Sequence, residues 1–162
     1  MAQLHPVAIL LPLLAGAAAT LGTICIHALA VSATINLVRL EERSGLTGTA
    51  LRVDLPIVAL VISISLAAHL IEIALWAGLF IVLGEFHNFG IAYYHSAVNY
   101  TTLGYGDVIM TPSWRLLGPL EAADGSLMFG LSTAMAFAVV VRLIQTKYTD
   151  LWIERSPTPG ID

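Results

Sequence analysis

The sequence predicts an all-α integral membrane protein with three transmembrane helices and one shorter helix that re-enters the membrane. Of its 162 residues 57% are hydrophobic, and only 11% are charged. A soluble domain carries about 25% charged residues, so this chain has less than half the usual charge. Seven basic against eleven acidic residues leave no basic patch for nucleic acid. The composition therefore excludes a soluble domain and a nucleic-acid binder, and the length fits one domain.

Three long apolar runs are the predicted spans, since a span needs about 20 mostly apolar residues. Residues 7–38 hold no charged side chain; a cleaved signal peptide is the less favoured interpretation, because the run is long and no Lys or Arg precedes it. Residues 55–83 are interrupted only by His69 and Glu72. Residues 113–145 read as one helix in spite of two acidic residues.

A fourth apolar segment, residues 89–101, is too short to span. As a helix of 1.5 Å rise per residue it reaches about 20 Å, against a hydrocarbon core of about 30 Å. A glycine-containing stretch follows it at once. Irregular backbone survives at membrane depth only where protein or water satisfies its polar groups. The segment is therefore predicted to enter and leave the membrane on the same side.

The basic residues predict the orientation in the membrane. Only Arg115 lies on the side of the re-entrant segment. The other six of the seven share the opposite side: Arg39, Arg43, Arg52, Arg142, Lys147 and Arg155. Because cytoplasmic loops carry the excess of Lys and Arg, we expect a multi-pass protein of the cell membrane (plasma or inner membrane) with an outer amino terminus and a cytoplasmic carboxyl terminus.

The segment T-T-L-G-Y-G-D, residues 101–107, has the composition of a backbone that binds cations. Gly104 and Gly106 can adopt positive φ at little steric cost, as a row of carbonyls along one axis requires. The preceding helix points its negative carboxyl end at the same place, which favours a cation.

This segment resembles the selectivity filter of the potassium channel pore-loop family. Tyr94, thirteen residues before Asp107, is similar to the family's aromatic donor beside the filter. The resemblance implies that filter carbonyls replace the hydration shell of K⁺, and one loop per chain implies a homotetrameric pore. The implied K⁺-binding residues are Thr102, Leu103, Gly104, Tyr105 and Gly106. The implied filter supports are Tyr94, His95, Asn99, Thr101 and Asp107. Leu103 departs from the commoner Val or Ile.

The resemblance covers residues 55–145, which we treat as the pore module, with an extra helix in 1–54 and a short cytoplasmic tail in 146–162. In its register Gly125 is the inner-helix hinge. The residues expected to line a cavity recur on one helix face: Ser126, Phe129, Thr133 and Phe137. Phe137 is the candidate constriction. Packing of this face against a neighbouring helix is the alternative.

Four ionisable residues inside the spans are candidates for function, because such groups are costly in a membrane. Glu121 and Asp124 either bond to His95 or Asn99 in a buried structural role, which we favour, or face the ion path. His69 and Glu72 lie one turn apart. Three interpretations of that pair stay open: a hydrogen bond, with His27 as a further partner; a proton-sensitive gate; or a transition-metal site, which lacks a third ligand.

The expected function is passive conduction of K⁺. No span carries Arg at every third position, so a voltage sensor is not expected, nor is a cytoplasmic ligand-binding domain. No nucleotide loop, catalytic triad or zinc signature appears, so we expect neither an enzyme nor a cofactor beyond the permeant ion. The expected partners are membrane lipid, identical subunits and K⁺, with no nucleic acid. The alternatives are a weakly selective cation channel and a non-conducting, channel-like membrane sensor.

Overall fold

A computed structural model describes residues 6–43 and 51–155, with side chains over 9–40 and 55–145. Its four helices are α1 (Pro6–Arg43), α2 (Leu51–Val82), α3 (Phe89–Tyr100) and α4 (Leu117–Arg155). Three of these contain apolar stretches that are long enough to cross a membrane, at Ile9–Leu40, Leu55–Val82 and Leu117–Gln145. The predicted all-α membrane fold is confirmed.

The third long helix begins and ends later than predicted. Residues 112–116 form turns instead of helix, in which Trp114 and Arg115 donate their backbone N–H to the carbonyl of Thr111. Pro119 then falls in the first turn of α4, where a missing N–H breaks no helical hydrogen bond. α4 continues past residue 145 without a break, so the module boundary predicted there lies inside a helix.

The long helices pack side by side around two apolar clusters. The larger centres on Trp76, Phe80, Tyr100 and Leu117, and it lies near the end of the bundle that carries α3. The smaller lies toward the other end and consists of Ile57, Val61, Val139 and Leu143. Both clusters draw on α2 and α4, so these two helices form the core on which α3 rests.

Two glycines let α1 approach its neighbours closely. A Cβ atom at Gly16 would lie 2.8 Å from Leu120 Cδ1, and one at Gly22 would lie 2.7 Å from Leu75 Cδ1. Small residues at helix contacts are typical of membrane proteins, where close backbone approach replaces a hydrophobic driving force. α1 is thereby packed against both α2 and α4.

α3 is a single short helix with a defined start. The side chain of Asn88 caps it by accepting from the backbone N–H of Ile91 at 3.2 Å. A side-chain contact links the segment before α3 to the segment after it. The Glu85 carboxylate accepts from the backbone N–H and the hydroxyl of Thr111 at 2.7 and 2.6 Å. The segment therefore enters and leaves at one end of the bundle, as a re-entrant segment does.

Candidate functional site

The loop after α3 has an alternating backbone. Thr102, Gly104 and Gly106 have φ of 62°, 58° and 72°, whereas Leu103 and Tyr105 do not have positive φ. The predicted conformation of the two glycines is confirmed. Positive φ at Thr102 was not predicted, because a β-branched residue rarely adopts it. Strain of this kind persists where the surrounding structure enforces it, and it is common at ligand-binding sites.

The loop is held on the carboxyl end of α3. The backbone N–H groups of Leu103 and Gly104 both donate to the carbonyl of Val98, at 3.0 and 3.2 Å, and Thr102 N–H donates to Asn99 O at 2.8 Å. The Thr101 hydroxyl donates to Ala97 O at 2.6 Å. The last carbonyl groups of α3 have no hydrogen-bond partner within the helix, so they are free to accept from the loop. These hydrogen bonds hold the first residues of the loop in place.

The far side of the loop is held by two side chains of α3. Tyr94 donates its hydroxyl to Asp107 Oδ2 at 2.8 Å, the contact that the resemblance to the potassium channel family implied. That hydrogen bond raises the pKa of Tyr94, so the phenol stays a donor at neutral pH. His95 donates from Nδ1 to Val108 O at 2.9 Å and accepts at Nε2 from Asn99 at 2.9 Å. Burial lowers the pKa of His95, which keeps the neutral form that this pairing needs.

A cavity of about 580 Å³ lies beside the loop. Its wall is formed by loop residues Thr102, Gly104 and Gly106, by His95 and Asn99 of α3, and by the first turns of α4. The loop residues 101–107 are exposed in the single chain. The backbone with unusual φ is therefore not covered by the chain's own helices.

The face of α4 that was expected to line an ion cavity is largely exposed. Ser126, Phe129, Thr133 and Phe137 are all exposed, and Phe129 also packs on the rings of His69 and Tyr100. Gly125, expected as a hinge, is buried. Its Cα faces α3 so closely that a Cβ atom would lie 2.1 Å from Tyr100 O. The structure thus gives Gly125 a packing role, and the hinge stays a prediction.

Glu121 and Asp124 both lie in the interior of the chain, with 0% and 2% of their surface exposed. Glu121 accepts from the Ser96 hydroxyl of α3. Asp124 accepts from Thr23 Oγ1 of α1 at 2.9 and 3.0 Å, and from Trp76 Nε1 of α2 at 2.9 Å. These contacts fit the buried structural interpretation. For Asp124 the partners differ from the expected His95 or Asn99, because the residue faces α1 and α2 instead of α3.

His69 and Glu72 belong to a larger buried cluster. Glu72 contacts His27 Nδ1 at 2.9 Å and His69 Nδ1 at 3.0 Å, so the predicted partner His27 is confirmed. Tyr100 donates its hydroxyl to the same carboxylate. Ser132 Oγ lies 3.2 Å from His27 Nε2 and 3.0 Å from His69 Nε2. Tyr100 and Ser132 were not foreseen; their polar side chains inside apolar helices were the available signal.

Comparison with known proteins points to the same part of the chain. Residues 68–142 match the sequence model of a family described as ion channel. The matched range holds most of α2, all of α3, the loop and most of α4, and it leaves α1 outside. Searches among curated proteins and among solved structures found no match.

The match and the fold together support one class of protein. The helices and the matched segment indicate an ion channel pore module in a multi-pass membrane protein. The family is one of ion channels and not of enzymes, which confirms the prediction that the chain is not an enzyme.

Proposed function

We propose that the protein is a potassium-selective channel that conducts K⁺ passively through the loop of residues 102–106. The observation that carries the proposal is positive φ at every second residue, Thr102, Gly104 and Gly106, in a loop next to a short re-entrant helix. A backbone that alternates in this way can turn successive carbonyls toward one axis, where they replace the water around K⁺.

The proposed pore is a homotetramer with cyclic symmetry. A single chain offers one loop, and one loop cannot surround an ion. The exposed loop and the 580 Å³ cavity beside it support assembly around a common axis. In that assembly the exposed face of α4 with Ser126, Thr133 and Phe137 lines the cavity below the filter, together with Phe129.

The proposed orientation places the loop outside and the other end of the bundle in the cytoplasm. Arg39 of α1 and Arg142 of α4 line one groove at the end opposite the loop, as the positive-inside rule requires of a cytoplasmic end. The membrane is the plasma or inner membrane of the cell, with lipid around the helices.

Potassium selectivity is favoured over weak selectivity by the way the loop is fixed. Hydrogen bonds from α3 hold it at its start, through Val98 and Asn99, and at its end, through Tyr94 and His95. A filter fixed at both ends resists the rearrangement that a smaller ion demands. A channel-like sensor that conducts nothing is the second alternative, and it predicts no ion flux at all.

Substitution of one filter glycine tests the proposal. In Gly104→Ala, at φ 58°, we expect K⁺ efflux from liposomes to fall about tenfold or more, because a side chain at positive φ costs about 1–2 kcal/mol in each chain. The matched control is Gly78→Ala in α2, where a Cβ atom meets nothing within 4 Å.

The flux is measured with purified protein in liposomes that contain K⁺ or Na⁺ as the only inner cation. The proposal requires K⁺ efflux well above Na⁺ efflux in the wild type and in Gly78→Ala. Equal loss of flux in both variants, or equal K⁺ and Na⁺ efflux, would contradict it.

A further inference from the structure

A buried polar cluster connects all four helices at the level of the last turn of α3. Glu72 of α2 is its centre, and His27 of α1 and His69 of α2 contact the two carboxylate oxygens. The exposed fractions of His27, His69 and Glu72 are 1%, 6% and 0%. Three groups that can each bind a metal ion thus meet in the interior of the chain.

The three ligand atoms are spaced as metal ligands are. They all lie within 4.8 Å of one another, and each histidine Nδ1 is 2.9 or 3.0 Å from a Glu72 oxygen. Zinc bonds of about 2.0–2.1 Å in tetrahedral geometry put neighbouring ligand atoms about 3.3 Å apart. Tyr100 Oη lies 3.2 Å from His69 Nδ1 and can complete the set. Each histidine nitrogen already lies close to a Glu72 oxygen, and a bound ion would draw the whole set, now within 4.8 Å, to the tetrahedral spacing.

The hydrogen bonds around Ser132 also favour a bound metal ion. Without a metal, both Nδ1 atoms need a proton to donate to Glu72, so in neutral histidines both Nε2 atoms are acceptors. Both Nε2 atoms face the Ser132 hydroxyl, which has a single proton to donate. One ring nitrogen is then left without a donor.

A metal ion removes this conflict. Both Nδ1 lone pairs then bind the ion, and both Nε2–H groups donate to the two lone pairs of the Ser132 hydroxyl oxygen. Such a hydrogen bond on the outer nitrogen is the usual companion of a metal-binding histidine, because it fixes the tautomer and the ring orientation. One extra proton in the cluster is the competing solution, carried by a histidine, or by Glu72 with the Tyr100 hydroxyl donating to His69 Nδ1.

We propose that His27 Nδ1, His69 Nδ1 and the Glu72 carboxylate bind a divalent transition-metal ion of the zinc class, with the Tyr100 oxygen as fourth ligand. Imidazole with carboxylate suits zinc and its neighbours, whereas Mg²⁺ and Ca²⁺ prefer oxygen ligands alone. The ion fastens α1 to α2 and to the last residue of α3, directly before the loop. This site does not depend on potassium conduction.

Zinc binding to the purified full-length protein tests the site. The protein is stripped with a chelator, incubated with ZnCl₂, desalted and analysed for bound metal. We expect one zinc per chain in the wild type, with two imidazoles and ligand distances of about 2.0–2.1 Å by X-ray absorption. Removal of one ligand in His27→Gln or His69→Gln should abolish retention. Ser132→Ala should weaken the affinity about 10–100-fold.

Two control variants separate loss of a ligand from loss of the fold. His87→Gln changes an exposed histidine outside the cluster and should keep the zinc. His27→Cys replaces one zinc ligand by another and should also keep it. The proposal is overturned if the wild type retains no more zinc than His27→Gln, as an extra proton in the cluster would predict, or if Mg²⁺ is retained equally. Because no ion flux enters the readout, failure here leaves the proposed channel function untouched.

Discussion

Gly125→Ala is expected to lower the melting temperature of the detergent-solubilised protein more than any other single-methyl addition in α4. The new Cβ atom would lie 2.1 Å from Tyr100 O and 3.0 Å from Tyr100 C. Backbone atoms cannot turn aside as a flexible side chain can, so α4 and α3 must separate. Overpacking of this kind costs about 1–3 kcal/mol, and backbone contact places the variant at the upper end.

The matched control for this prediction is Gly130→Ala in the same helix. A Cβ atom there meets nothing within 4 Å, and alanine is the better helix former by about 1 kcal/mol, so its melting temperature should hold or rise. Thermal melts followed by circular dichroism compare the two. Equal melting temperatures would show that Gly125 is not a packing residue and would favour its predicted role as a hinge.

The second large effect is expected at Asp124. Asp124→Ala leaves Trp76 Nε1–H without its acceptor in the interior of the bundle, whereas the Thr23 hydroxyl can still donate to Thr20 O at 2.8 Å. An unsatisfied buried donor costs about 1–3 kcal/mol, although hydrogen bonds in membrane bundles are often worth less. We expect a loss of about 1–3 kcal/mol for the Trp76 donor, seen as a lower melting temperature.

Two comparisons make the Asp124 prediction specific. Ser126→Ala removes an exposed hydroxyl that bonds only to Ala122 O and should leave the melting temperature unchanged. In Trp76→Phe the donor itself is removed, so adding Asp124→Ala should cost less than it does in the wild type. If Asp124→Ala reduced ion flux while the melting temperature stayed constant, the carboxylate would face the ion path and its structural role would be refuted.

The elements of the fold were predictable because composition alone marks them. Long apolar runs identified α1 and α2, and the length of residues 89–101 identified the short re-entrant helix, which the structure places at Phe89–Tyr100. Tyr94 and Asp107 were paired correctly because the resemblance to the potassium channel family implied their contact.

Contacts between distant helices were less predictable. Thr23 meets Asp124 across 101 positions, and Ser132 meets His27 across 105. A helix that is apolar on all sides has no single apolar face, so its sequence does not show which side contacts the neighbouring helices. The polar residues marked important positions but not their partners, so Tyr100 and Ser132 were missed at the His27 and Glu72 cluster.

The start of α4 and the conformation of Thr102 were missed for local reasons. Apolar residues near 113 continue the hydrophobic run, yet turns at 112–116 delay the helix to Leu117. Positive φ at Thr102 comes from the loop's attachment to α3 and not from the preference of threonine.

The reversal potential of the wild-type protein in a planar lipid bilayer tests the central claim most directly. KCl is placed on one side and NaCl at the same concentration on the other. With a potassium-selective filter, the reversal potential is displaced from zero by about 59 mV for each tenfold preference for K⁺ over Na⁺. The side that contains KCl is then the negative side. A single-channel current that reverses at zero would contradict potassium selectivity and leave a non-selective cation pore.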